Sequence, residues 1–236
     1  MENKTLGVVS SAWTTHQPLI KAVMQSYKPK FILELGMGNF STPLFLQKDV
    51  EYLGVENDVT WIGHLKNNLG PMKTIFHDLG PDIKIGTHLY EISENAKASI
   101  CDFYKNLKYP RLKPNVLFVD QFTSCRTLSI NTLGKYFDVI IYHDCEPTGI
   151  PWYSYNLINL EGFQIFTLKS DTSWTRLMVK KYNNDFSKVI ELFIQEYKIN
   201  NPDIRYMEFT RFRGRFMGRI FQRIAQQLGL RRDQFV

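Results

Sequence analysis

The chain has 236 residues, 44% of them hydrophobic, which is enough for one α/β domain with additions and excludes a disordered or collagen-like class. It has no run of about 18 apolar residues, so no membrane-spanning helix is expected, and the opening Met1-Glu2-Asn3-Lys4 lacks the basic-then-apolar order of an export signal. The net charge of +6 is concentrated: between Arg205 and Val236 eight arginines face only Glu208 and Asp233, so the remaining body is close to neutral.

In chain order, residues 30–35 form a short apolar run that stops at Gly36-Met37-Gly38, as a buried strand entering a turn does. Ser41 or Thr42 is placed to cap a following helix, with Pro43 in its first turn. Residues 52–55 are a second strand, closed by Glu56-Asn57-Asp58. Residues 59–69 read as a helix with Trp61, Ile62, Leu65 and Leu69 on one face. A weaker strand is expected over 87–92, and a helix over 95–107 with Ile100, Phe103, Tyr104 and Leu107 turned inward. Residues 116–119 form a strand ending at Asp120, and 126–133 a short helix. The run 137–142 is almost wholly apolar and ends at His143-Asp144.

A further helix is expected over 150–160. Strands over 163–168 and 174–179 are joined by the turn-rich stretch 169–173, and a capped amphipathic helix follows over 185–197. Strands alternating with helices imply parallel βαβ units with helices on both faces of one sheet. The expected architecture is therefore a Rossmann-like, doubly wound, mostly parallel sheet with a late antiparallel strand and a C-terminal helical arm. Three parts are expected: an N-terminal lid and helix (1–30), a core (31–182) and C-terminal helices (183–236). The segment Trp13-Thr14-Thr15-His16-Gln17 could close over the site, with His16 expected as a surface or capping residue. Cys101, Cys125 and Cys145 are isolated and lack Cys-x-x-Cys spacing, which argues against disulfides and structural zinc and for a cytoplasmic setting.

Ligands of open α/β sheets bind beyond the carboxyl ends of the strands, where the strand order reverses. The stretch from Phe31 to Thr42 sits at such a place. Gly36 and Gly38 let main chain approach a ligand with no Cβ in the way. Glu56 follows Gly36 by 20 residues, where a carboxylate can accept ribose hydroxyls. These residues resemble the class I S-adenosylmethionine (SAM) dependent methyltransferases, whose first motif is an acidic residue followed by Gly-x-Gly and whose second is an acidic residue ending strand two. The matching positions are Glu34, Gly36, Gly38 and Glu56. Asn39-Phe40-Ser41-Thr42 resembles the Gly-x-Gly-x-Ser-Thr variant of O-methyltransferase branches, with Phe40 where many members carry a third glycine.

The resemblance spans roughly residues 31–179 and implies a SAM site made of Glu34, Gly36, Met37, Gly38, Ser41, Thr42, Glu56, Asn57 and Asp120. A dinucleotide site would need a third glycine where Ser41 stands, and Glu34 suits the ammonium of SAM better than a diphosphate.

The candidate catalytic residues are Asp120, His143 and Asp144, polar groups placed abruptly at strand ends. Either His143 or Asp120 serves as general base for an acceptor hydroxyl, or Asp120 and Asp144 hold Mg2+. The second arrangement resembles metal-dependent O-methyltransferases, in which an acid or amide adjoins the strand-five carboxylate; here His143 and Cys145 flank it, which disfavours a metal. The bland alternative is a hydrogen-bonded His143-Asp144 pair capping a strand. Asp120-Gln121-Phe122-Thr123 lacks the Asn/Asp-Pro-Pro-Tyr/Phe pattern of amine methylation. Trp152, Tyr153, Tyr155 and Trp174 are candidates for a wall against the acceptor, which favours a carbohydrate or other small hydroxyl compound, although for each residue taken alone core packing is the stronger reading.

In the C-terminal arm Phe212, Phe216, Ile220, Ile224 and Leu228 recur every four residues beside Arg211, Arg215, Arg219 and Arg223. Gly214 and Gly218 each cost such a helix about 1 kcal/mol relative to alanine. Its expected partners are the protein itself or a second copy, or an anionic membrane surface; nucleic acid is less favoured.

Overall fold

A computed structural model of the chain describes residues 15–81, 83–84, 86–146, 152–168 and 173–180. Helix α1 (Gln17–Tyr27) opens with Pro18 and stops at Lys28, which adopts a left-handed conformation. It leads into β1 (Phe31–Leu35), the single-turn α2 (Thr42–Phe45) and β2 (Glu51–Glu56). Helix α3 (Val59–Leu69) starts where the Asp58 carboxylate accepts the amides of Thr60 and Trp61. There follow β3 (Thr74–Phe76), α4 (Glu94–Asn106, capped by Ser93), β4 (Asn115–Val119) and α5 (Thr123–Leu133). The described part closes with β5 (Val139–His143), β6 (Phe163–Leu168) and β7 (Thr175–Lys180).

The strands form one seven-stranded sheet in the order β3-β2-β1-β4-β5-β7-β6. The first five are parallel, and β7 runs antiparallel to both β5 and β6. Every residue of β1, β4 and β5 is buried, which accounts for their continuous apolar runs. Residues of alternating parity face two cores. Ile32, Val116, Phe118, Val139 and Ile141 pack under α1 and α2, with Leu65 of α3. Phe31, Leu33, Leu35, Leu117, Val119 and Ile140 pack under α4 and α5. Helices on both faces make the sheet doubly wound, and the strand order reverses between β1 and β4. Leu35 stands opposite Val55 and Val119, and Val119 opposite Tyr142. One residue further along, Gly36, Glu56, Asp120 and His143 therefore share one edge of the sheet.

Two expected elements differ. The strand expected over 87–92 is instead a 3-10 turn, Leu89–Glu91, in which His88 and Glu91 cap each other, with only Leu89 and Ile92 reaching the core. The edge position goes to β3, whose three residues are too few to show a period. Of the helix expected over 150–160, Trp152 is helical and the described residues after it hold only the 3-10 turn Tyr155–Leu157. Left-handed Ser154 breaks any longer helix, and Asn131 of α5 bonds the main chain of Leu157 and Asn159. The helix expected over 185–197 and the basic arm lie outside the described residues, as do Trp13 and Thr14 of segment 13–17. Among the described residues no helix is long and apolar enough to cross a membrane.

Candidate active site

The glycine turn is fixed from three sides. Gly36 has a φ of +84°, and a Cβ there would lie 2.3 Å from the carbonyl oxygen of Asp120, so only glycine lets β1 end against β4. Its amide donates to Val55 O (2.9 Å). The Met37 amide donates to Glu56 Oε2 (2.8 Å), and the Trp61 indole donates to Met37 O (2.8 Å). The Gly38 amide donates to Thr42 Oγ1 (3.0 Å). Glu56 Oε1 also accepts the amides of Asn57 (2.7 Å) and Asp58 (3.2 Å). Burial raises the pKa of Glu56, opposed by these three amides. A carboxylate has about four acceptor positions, so one remains on Oε2, at the junction of the turn and β2. Asn57, beside it, donates its side-chain amide to His77 O (2.8 Å).

Glu34 departs from expectation. It lies on the α1–α2 face of β1, with no exposed surface. Its carboxyl meets the hydroxyls of Ser41 (2.5 Å), Thr42 (2.8 Å) and Tyr52 (2.5 Å). Burial pushes its pKa up to about 8, against the pull of those hydroxyls. Glu34 therefore offers no open charge to a ligand's ammonium. Ser41 and Thr42, expected as cofactor contacts and as helix caps, are buried and spend their hydroxyls on Glu34; Ser41 makes no side-chain cap bond. The three residues tie the glycine turn to β1 from beneath.

On the other side of the strand reversal, Asp120, His143 and Asp144 do come together, around a residue the sequence did not single out. Arg126, buried in the first turn of α5, reaches Asp120 Oδ1 (2.8 Å) and Asp144 Oδ2 (3.0 Å). It also donates to Gln121 O (2.6 Å), His143 O (3.2 Å) and Tyr155 Oη (3.3 Å), and Tyr153 covers it with its ring centroid 4.1 Å away. The guanidinium occupies the position between the two carboxylates that a shared Mg2+ would need, so the expected Asp120–Asp144 metal pair is replaced by a bridged ion triad. Asp144 holds its place at a φ of 57°, a left-handed conformation costing about 1–2 kcal/mol for a residue with a side chain. There it accepts hydrogen bonds from Ser173 (2.6 Å) and Tyr153 (3.1 Å).

Burial alone would raise the pKa of Asp120, but Arg126 and His143 outweigh it and hold it at about 2. His143 Nδ1 lies 3.2 Å from Asp144 Oδ1 and 3.7 Å from Asp120 Oδ1. Its Nε2 meets Thr15 Oγ1 (2.8 Å) and Ser173 Oγ (3.1 Å). Burial pushes its pKa down, yet the two aspartates more than reverse this and raise it. The side chains of Asp120 and Asp144 are 22% and 21% exposed against 4% for His143, so the carboxylates are the atoms an incoming molecule reaches. The simple strand-capping pair is thus part of a larger network.

His16, expected at the surface or as a cap, is 3% exposed; it holds the N-cap position of α1, but its side chain makes no cap hydrogen bond. Its ring stands edge-on to His143 (4.9 Å) and beside Phe118 (5.4 Å). Burial, with His143 adding to it, lowers its pKa to about 4, so it is neutral. Of the aromatic wall, Tyr153 and Tyr155 belong to the network. Trp152 is 50% exposed against His88 (4.1 Å), and Trp174 is half-buried with its carbonyl bonded to Cys145 N (3.0 Å). The sequence signals for the missed residues were faint. Arg126 is the only charged residue in α5, among small polar neighbours, and His16 stands in a segment read as an outer lid.

No family model matches the sequence, and no curated protein does. Among solved structures, a Staphylococcus aureus protein assigned as a caffeoyl-CoA O-methyltransferase aligns with a TM-score of 0.50 at 14% identity, over 72% of this chain and 85% of its own. A methyltransferase-like protein from Silicibacter pomeroyi aligns at 0.45 and 14% identity, over 79% and 95%. The S-adenosylhomocysteine-bound Podospora anserina methyltransferase PaMTH1 aligns at 0.46 and 16%, over 73% and 80%. The first of these likenesses shows that the chain has the Rossmann-like methyltransferase fold expected from the strand order.

Proposed function

We propose that this protein is a SAM-dependent methyltransferase that acts on a hydroxyl of a small, carbohydrate-like acceptor. One observation carries the proposal. The glycine turn and the Glu56 carboxylate meet at one sheet edge (Met37 N to Glu56 Oε2, 2.8 Å), and Gly36 abuts Asp120, the start of the polar network. Cofactor elements and proton-handling groups thus flank the reversal between β1 and β4, where such sheets bind ligands.

The residues fit the cofactor. Glu56 keeps an acceptor position for a ribose hydroxyl, Gly36, Met37 and Gly38 give the turn, and Asn57 and Asp120 border it. Bound there, SAM supplies an electrophilic methyl carbon on a sulfonium. Asp120 and Asp144, the reachable atoms of the network, orient the acceptor hydroxyl for in-line attack. The methyl carbon would pass from sulfur to the acceptor oxygen, and the hydroxyl proton would pass into the carboxylate–imidazole network, where the two aspartates raise the pKa of His143. Arg126 keeps Asp120 ionised and aims both carboxylates. Exposed Trp152, next to Tyr153, offers an aromatic face to a sugar ring, and the absence of the amine-type motif after β4 supports oxygen as the nucleophile.

Calorimetry of the full chain with SAM and S-adenosylhomocysteine is the test. Both should bind, and Glu56→Ala should weaken binding about 10- to 100-fold, the worth of a charge-assisted hydrogen bond. Absence of binding would end the proposal. Labelled methyl transfer to amines but not to polyols would end the choice of oxygen.

A further inference from the structure

We infer that His16, Asp120 and His143 form a binding site for a divalent transition-metal ion of the Zn2+ class. The three residues come from the N-terminal end of α1 and the carboxyl ends of β4 and β5, and folding brings one potential ligand atom from each within 4.8 Å of the others. The independent observation is His16. Its ring is buried, yet among the described residues neither Nδ1 nor Nε2 has a hydrogen-bond partner. Each polar atom left so costs about 1–3 kcal/mol, which a purely packed ring at this position, an apolar one, would avoid. Both nitrogens are orphaned beside a carboxylate and a second imidazole.

The surroundings hold the other two ligands in the way metal-binding side chains are held. Thr15 and Ser173 engage His143 Nε2, so that Nδ1 faces the two carboxylates, 3.2 Å from Asp144 Oδ1 and 3.7 Å from Asp120 Oδ1. Arg126 anchors Asp120 at 2.8 Å. Such outer partners fix the orientation of metal ligands. Two carboxylates, Asp120 and Asp144, face the single guanidinium of Arg126 beside the two imidazoles, a setting that suits a cation. Two imidazoles and a carboxylate suit Zn2+, Fe2+ or Ni2+ and not Mg2+ or Ca2+, which take oxygen ligands. This set differs from the paired carboxylates expected from the sequence, which Arg126 occupies. Three protein ligands leave coordination positions open. An ion there would favour the ionised form of the acceptor hydroxyl; that consequence rests on the methyltransferase reading, whereas the binding site does not.

The test is a Co2+ titration of the full-length protein after chelator treatment, with no SAM present. One Co2+ per chain should bind with the visible absorption of a protein-ligated ion, Zn2+ should displace it, and Zn2+ should raise Tm. His16→Leu keeps an apolar ring-sized contact on Phe118 and should fold without metal. It should lose both effects, with affinity down more than about 100-fold, beyond the loss from removing an outer partner. His64→Ala, at an exposed histidine of α3, should bind as the parent does. Overturning results are no saturable Co2+ binding, undiminished binding by His16→Leu, or displacement by Mg2+. A water bridging the three groups would give the first of these. Because SAM is absent, failure here leaves the methyltransferase proposal standing, and failure of SAM calorimetry leaves this one standing.

Discussion

Arg126 decides what the strand-end residues become. Asp120 and His143-Asp144 were legible in the sequence because each follows a run of apolar residues. That they form one network was not, because the guanidinium joining them comes from α5 and its targets lie on two other elements. A buried ion triad loses heavily when one member goes, since the remaining charges keep their desolvation cost. Arg126→Met should therefore destabilise the fold by about 3–5 kcal/mol, measured by urea denaturation, and adding Asp144→Asn should restore part of it. No loss of stability from Arg126→Met would mean that the triad is solvated. His16 makes the same point from the other side. Nothing in a helix-opening histidine announces burial; its position follows from α1 packing onto Phe118 and the end of β5.

At the scale of elements, the glycine turn shows how one backbone conformation joins three strands. Gly36 ends β1, bonds β2 through Val55 O and presses on the main chain of β4 at Asp120. The sequence motif predicted a close approach of backbone to ligand. The structure shows that the nearest approach is to another strand. Gly36→Ala would add the left-handed penalty of about 1–2 kcal/mol to a backbone clash that only movement of β4 can relieve. The variant should melt well below the parent protein and lose SAM affinity together with stability. A variant that melts normally would show that the turn adapts without β4. The elements missed by pattern reading have a common cause. β3 has three half-exposed residues and no readable period, and the turn at Ser154 is set by partners on α5 and not by its own residues.

Across the whole molecule, Glu34 couples the buried base of the site to stability. Its pKa rises from 4.5 unfolded to about 8 folded, because burial outweighs the hydroxyls of Ser41, Thr42 and Tyr52. The folded state therefore holds the proton more tightly. Its stabilising contribution is complete below pH 4.5 and is lost as pH rises through about 8. Tyr52 stays protonated across that window, its pKa being well above 10. Denaturation from pH 5 to 9 should show Glu34→Gln gaining on the parent protein as pH rises; parallel curves would place a solvated, ionised carboxylate at this position. By itself the sequence determined the alternation of strands and helices, the glycine turn and the acidic and imidazole residues at strand ends, because hydrophobic period and backbone freedom are local properties. Only tertiary structure decided that Glu34 is sealed beneath α2, that Arg126 fills the gap between two aspartates, and that His16 turns inward to meet Asp120 and His143. Burial and charge pairing depend on what distant segments bring to the same place, and no local pattern records that.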